Sequence, residues 1–79
     1  MSRYRKVKGN LTLSYGFDHA LGYWYDITDS LLEEDDPKFL LEEKSSTLNK
    51  MKRSEFIQIL REFNVNEDHI MGVAGDLVI

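Results

Sequence analysis

Two stretches of alternating apolar and small or polar residues follow one another with only Asp18-His19-Ala20 between them. In the first, Leu11, Leu13, Tyr15 and Phe17 alternate with Thr12, Ser14 and Gly16. In the second, Leu21, Tyr23, Tyr25 and Ile27 alternate with Gly22, Trp24, Asp26 and Thr28. A period of two puts every apolar residue of a strand on one face, and that face must be covered by another layer. So short a connection around Asp18 predicts a β-hairpin over residues 11–28, although it is not of the Asn-Gly type and its turn geometry stays open. Leu21, Trp24, Tyr25, Thr28, Leu31 and Leu32 also fit helical spacing, with Asp18 as N-cap. Gly22 inside the element and the run Tyr23-Trp24-Tyr25-Asp26-Ile27-Thr28 favour the strand, because these residues are mediocre helix formers and suit a pleated surface. A third strand over 38–45, begun by Phe39, Leu40 and Leu41, would complete a small antiparallel sheet, since a hairpin alone is marginal.

The covering layer is written in the last third of the chain. Phe56, Ile57, Leu60 and Phe63 share one helical face. Met51 and Phe56 stand at the positions of a hydrophobic staple, with Glu55 at the third helical residue and Asn64 as a stop. Asn66 then reads as an N-cap, followed by Glu67 and Asp68 where the helix dipole favours acids. Val65 and Ile70 form a second staple, and Gly75 is placed as the stop. The fold class expected is α+β: hairpin 11–28, a third strand at 38–45, and helices at about 53–63 and 67–74. Residues 1–10, ending in Gly9-Asn10, read as a basic N-terminal arm, either flexible or leading into the first strand, with 11–79 as a single α+β domain.

A chain of 79 residues holds one domain, and a domain this small buries little of its surface. It contains no cysteine, so disulfides and thiolate zinc sites are excluded. Two histidines leave few transition-metal options. No apolar run approaches the roughly 18 residues needed to cross a bilayer. The opening Met-Ser-Arg-Tyr-Arg-Lys does not read as a secretory signal, and a cytoplasmic location is expected. The small size and the apolar tail Leu77-Val78-Ile79 together suggest a homodimer.

The net charge of −4 is distributed in blocks. Arg3, Arg5, Lys6 and Lys8 stand without an acid among residues 1–10. Residues 18–43 hold Asp18, Asp26, Asp29, Glu33, Glu34, Asp35, Asp36, Glu42 and Glu43 against Lys38 alone. Glu33-Glu34-Asp35-Asp36-Pro37 predicts an exposed loop, because like charges repel and Pro37 disfavours helix at Asp36. The acidic stretch lacks the glycine and alternating ligands of a calcium loop. Glu67, Asp68 and His69 would point in different directions from a helix start. No phosphate-cradling glycine loop and no nucleophile elbow are present. The two C-terminal helices resemble a helix-turn-helix in layout only, since residues 66–79 carry no Lys or Arg to meet phosphates.

The hairpin sequence Tyr15-Gly16-Phe17-Asp18-His19-Ala20-Leu21-Gly22-Tyr23-Trp24-Tyr25-Asp26 and the staple-and-cap pattern of 51–77 resemble small uncharacterised bacterial proteins of similar length. The likeness covers about two thirds of the chain. It implies a bacterial or mobile-element origin and carries over no activity, cofactor or partner.

Three functional expectations follow. The first is a non-enzymatic interaction or regulatory module. It would bind a protein partner through Trp24, Asp18, His19 and Asp26 of the hairpin and through Glu33, Glu34, Asp35 and Asp36 of the loop, with Trp24 as the exposed aromatic anchor. The second is a nucleic-acid accessory protein using the basic arm with Lys50, Lys52 and Arg53. The third is a small enzyme or metal binder centred on Asp18, His19 and Asp26, because a carboxylate beside a histidine can do acid–base work. Against the third, Asp18 and His19 suit an ordinary turn. No catalytic residue, metal ligand or cofactor is assigned.

Overall fold

The computed structural model describes residues 2–79. Four strands and two helices follow in chain order: β1 (Tyr4–Lys8), β2 (Leu11–Asp18), β3 (Gly22–Asp29), β4 (Leu40–Ser45), α1 (Arg53–Glu62) and α2 (Glu67–Ala74). The strands form one antiparallel sheet in sequence order, β1-β2-β3-β4. The α+β architecture is as expected, with the hairpin in register from Leu11↔Asp29 to Asp18↔Gly22.

The basic arm is a correction. Residues 4–8 are the first strand of the sheet, paired with β2 from Tyr4↔Tyr15 to Lys8↔Leu11. The turn is Gly9-Asn10, with Gly9 at φ +60°, a conformation open to glycine and expected at the first position of a two-residue hairpin connection. That dipeptide was the available signal. It was masked by the run of cations, which suits an edge strand because charge there discourages unwanted pairing. Lys8 also serves the fold: its Nζ donates to the Glu62 carbonyl oxygen at 2.6 Å, meeting an otherwise orphaned carbonyl at the C-terminus of α1.

The alternation sorts the sheet into two faces. Tyr15, Tyr23, Tyr25, Leu13 and Ile27 face the helices and are buried. Their centre is Phe56 of α1, which is completely buried. The rings of Tyr15, Tyr23 and Tyr25 lie 6.4, 5.4 and 6.3 Å from it, edge-on, tilted and stacked. Aromatic contacts of this geometry add to simple burial.

Each tyrosine then carries its hydroxyl to a different element. Tyr15 Oη meets His69 Nδ1 of α2 at 2.6 Å. Tyr23 donates to the Leu77 carbonyl at 2.7 Å, and Tyr25 donates to Glu42 Oε1 of β4 at 2.7 Å. One hairpin face thereby anchors α1, α2, the C-terminal tail and β4. Leu77 and Val78 of that tail remain exposed, while Ile79 packs against the core.

Both staples form. Met51 and Phe56 are buried, as are Val65 and Ile70, and Asn66 Oδ1 accepts from the Asp68 amide at 2.8 Å. Each helix ends with two reverse hydrogen bonds. For α1 they are Val65 N to Leu60 O at 3.0 Å and Asn64 N to Arg61 O at 3.1 Å. For α2 they are Leu77 N to Gly72 O at 2.8 Å and Asp76 N to Val73 O at 3.0 Å. This pattern needs a left-handed residue just after the helix. Asn64 takes φ +56° and Asp76 φ +59°. In α2 the left-handed position therefore falls on Asp76, one residue beyond the glycine expected to close it.

Two outcomes follow. Phe56→Ala removes the ring common to all three tyrosines and costs about 3–5 kcal/mol. That is most of the stability of a small domain, so urea denaturation should show a collapsed midpoint or no cooperative transition. Alkali supplies the second. Burial first, then the Tyr4 hydroxyl at Tyr15, Asp76 at Tyr23 and Glu42 at Tyr25, push these phenols above their ordinary 10.0. Their contribution is fully present below that value and is lost as pH rises, because the unfolded chain ionises first. Phenolate absorbance of these three tyrosines should appear together with loss of near-UV dichroism, not before it.

Candidate functional site

The helices cover one face of the sheet, and the opposite face presents a polar row running Arg5–Ser14–Asp26–Glu43 across all four strands. Above it lie Thr12 and Thr28, and below it Gly16 and Trp24. The connection between β3 and β4 forms a wall along this face. It is built from successive turns: Asp29 Oδ1 accepts from Leu31 N at 2.9 Å, and Asp36 Oδ1 from Lys38 N at 2.8 Å. Asp36 N reaches Glu33 O at 3.0 Å, and Phe39 N reaches Asp36 O at 2.9 Å. Asparagine and aspartate favour turns for this reason.

Wall and sheet enclose an open trench of ≈ 320 Å³, lined by Arg3, Arg5, Ser14, Asp26, Glu33 and Glu34, with Leu32 and Phe39 at its side. It continues towards Leu40 and Glu43 of β4. One end is basic and the other acidic. Among the described residues, no salt bridge ends on Asp26, Glu33, Glu34, Asp35 or Glu43. Asp26 is half-buried in the trench. Burial raises its pKa above the ordinary carboxylate value, while the Arg3 charge and the Ser14 hydroxyl pull the other way and Glu43 adds to the rise.

Trp24 is a second correction. It stands on the outer face as its place in the alternation implies, but it is half-buried and not a projecting anchor. The Arg3 guanidinium carbon lies 5.8 Å from its ring centroid, a cation–π contact. Gly16 sits between the two in the register, and a Cβ there would run into the Ser2 carbonyl oxygen. The missing side chain lets the N-terminal segment close down on the sheet and carry Arg3 over the indole. Trp24 Nε1 is buried without a hydrogen-bond partner.

Asp18, His19 and Asp26 do not form a cluster. Asp18 closes the hairpin turn, with its Oδ1 accepting from Ala20 N at 2.7 Å and Leu21 N at 3.2 Å. His19 is exposed and rests edge-on against Phe17 at 5.9 Å. Asp26 pairs at the level of Ser14, four residues along β2 from Asp18, about 13 Å at the usual strand rise. Of the acidic loop, Glu33 and Glu34 reach the trench, Asp36 is spent on its turn and Asp35 points to solvent. Arg3, Arg5 and Glu43 were not singled out for the site. Arg3 and Arg5 carried no signal beyond the basic charge of the N-terminal segment, and Glu43, inside the expected third strand, none beyond its place in the acidic block. Among the described residues, no group of three or more His, Asp or Glu side chains could hold a metal ion, and no helix is long and apolar enough to cross a membrane.

Comparison with protein-family models, with curated proteins and with solved structures returned no match to this chain.

The raised pKa of Asp26 has a definite sign. The folded state takes up the proton at higher pH than the unfolded chain, so the ionised carboxylate costs stability at neutral pH, and that cost fades as pH falls. Asp26→Asn should raise the urea midpoint at neutral pH, with the gap to the parent protein narrowing in acid.

Proposed function

We propose that this protein is a non-enzymatic interaction module that holds an extended segment of a protein partner in the trench on the outer face of its sheet. The observation that carries this reading is the uncovered trench itself, with apolar Leu32, Phe39 and Leu40 beside the carboxylates of Glu33, Glu34 and Glu43. Small clefts that combine apolar walls with a few directed polar groups are the usual form of binding sites. The surplus of acid over base at the β4 end favours a partner segment with Lys or Arg spaced by aliphatic residues.

A nucleic-acid partner ranks second, because the cations of the N-terminal segment diverge. Arg3 and Arg5 point to the outer face, while Lys6 and Lys8 share the face of Tyr4 towards the helices. A strand of phosphates would find no continuous basic track. An acid–base role for Asp18, His19 and Asp26 draws no support from their separation. A bacterial or mobile-element origin and a cytoplasmic location are part of the same proposal; the origin rests on the resemblance of the hairpin and the helix pair.

Trp24 is the only tryptophan and lies under Arg3, which lines the trench, so its emission reports occupancy through that contact. A short synthetic peptide of alternating Arg and Leu should shift that emission saturably, and its Glu/Leu counterpart should not. Glu34→Lys should weaken binding of the basic peptide roughly tenfold. Equal response to both peptides, or none to either, would remove this reading.

A further inference from the structure

We propose that copies of this chain join head to tail through the two free edges of the sheet, β1 of one copy adding to β4 of the next. The sheet is open. Each of its outer strands has one neighbour, and the described residues supply no second one. A free edge is a row of unpaired backbone donors and acceptors, which proteins protect with charges or bulges. Both devices are present here, and together they are selective. Arg5, Lys6 and Lys8 make the β1 edge basic, while on the β4 edge Glu42 and Glu43 outweigh Lys44, which is paired with Glu42 and leaves Glu43 as the unpaired charge. Two β1 edges repel each other, as do two β4 edges. Only the unlike pair is left open.

Geometry agrees with charge. The strands alternate in direction from β1 to β4, so a second copy in the same orientation brings its β1 antiparallel to β4, with the helices of both copies on one side. Arg5 and Glu43 lie on the outer face, in the row through Ser14 and Asp26. Setting Arg5 opposite Glu43 aligns Lys6 with Glu42 on the helix side. It also brings Val7 beside Leu41, and these two are 59% and 52% exposed. One register therefore satisfies two charge pairs and an apolar pair, the unit of cross-strand stabilisation. Glu42 already holds Tyr25 and Lys44, so Glu43, exposed and without a salt bridge, carries most of the attraction. Leu41 is itself the extra residue of the β4 bulge, between Glu42 opposite Ile27 and Leu40 opposite Thr28, and Ser45 N and O are already bonded to Asn49 and Met51, so the new ladder is confined to residues 41–44. Such a contact uses different patches on the two copies and does not close at a dimer. Assembly should grow with concentration, in contrast to the homodimer expected from the small size and the apolar tail.

Charge reversal tests this directly. At low salt, where surface charges are least screened, sedimentation velocity of the parent protein should show concentration-dependent species larger than a monomer, lost at high salt. Arg5→Glu and Glu43→Arg should each be monomeric alone, with dichroism unchanged. An equimolar mixture of the two should assemble again, because Glu at position 5 of one then meets Arg at position 43 of the other. Disulfide trapping fixes the orientation, since the chain has no cysteine of its own. Oxidation of mixed Arg5→Cys and Glu43→Cys proteins should yield the mixed disulfide well above its statistical share. A parent that stays monomeric at low salt and high concentration overturns the proposal. So do single variants that assemble like the parent, failure of the mixture to recover, or homodisulfides in statistical amount or excess.

Discussion

The Phe56 ring lies within 6.4 Å of the rings of Tyr15, Tyr23 and Tyr25, and the rest of the chain is arranged around that contact. Two antiparallel strands with aromatic residues every second position offer one broad apolar surface. A single short helix covers it because one large ring at its first buried position touches three others. The tyrosines are not interchangeable with phenylalanine here, since each hydroxyl reaches a separate structure: α2 through His69, the tail through the Leu77 carbonyl, and β4 through Glu42. In a domain with no disulfide, hydrogen bonds made at the rim of an aromatic core take over part of the fastening that covalent links supply in other small proteins.

Spending the aromatics on one face leaves the other face polar. Its character follows from the strand register, which sets Arg5, Ser14, Asp26 and Glu43 in one line. A line running from base to acid across a sheet gives the molecule a direction. One edge is positive, the other negative, and the trench between them carries both signs. The surface ion pairs contribute little, being exposed and 3.4–3.8 Å long. The unpaired charges of the outer face matter more, because they remain free for a partner.

Much of the fold was legible in the sequence, and the reasons are local. The staples Met51–Phe56 and Val65–Ile70, the cap at Asn66 and the stop at Asn64 each depend on residues within one or two turns of the chain. The same holds for the 11–28 hairpin, where alternation outweighed a competing helical spacing. The first strand was not legible, because Tyr4-Arg5-Lys6-Val7-Lys8 has only one apolar residue per face and an edge strand needs no more. The site was legible in part. Asp26, Glu33 and Glu34 were named and do border the trench, whereas Asp18 and Asp36 are held by their own turns and His19 stands apart.

Trp24 shows where local reading ends. Its place on the outer face follows from counting residues, but its cover does not. Arg3 reaches it only because Gly16, eight residues away in sequence and adjacent in the sheet, leaves the space open. By itself, the sequence determined the central hairpin, the strand before α1 and both helices, and which face of the hairpin and helices is apolar, since these depend on periodicity and on contacts a few residues apart. The tertiary structure decided that the basic N-terminus is an edge strand and that Arg3, Arg5, Asp26, Glu34 and Glu43 share one trench. Those residues are far apart along the chain, and only strand pairing, which matches backbone groups without regard to sequence distance, brings them to one surface.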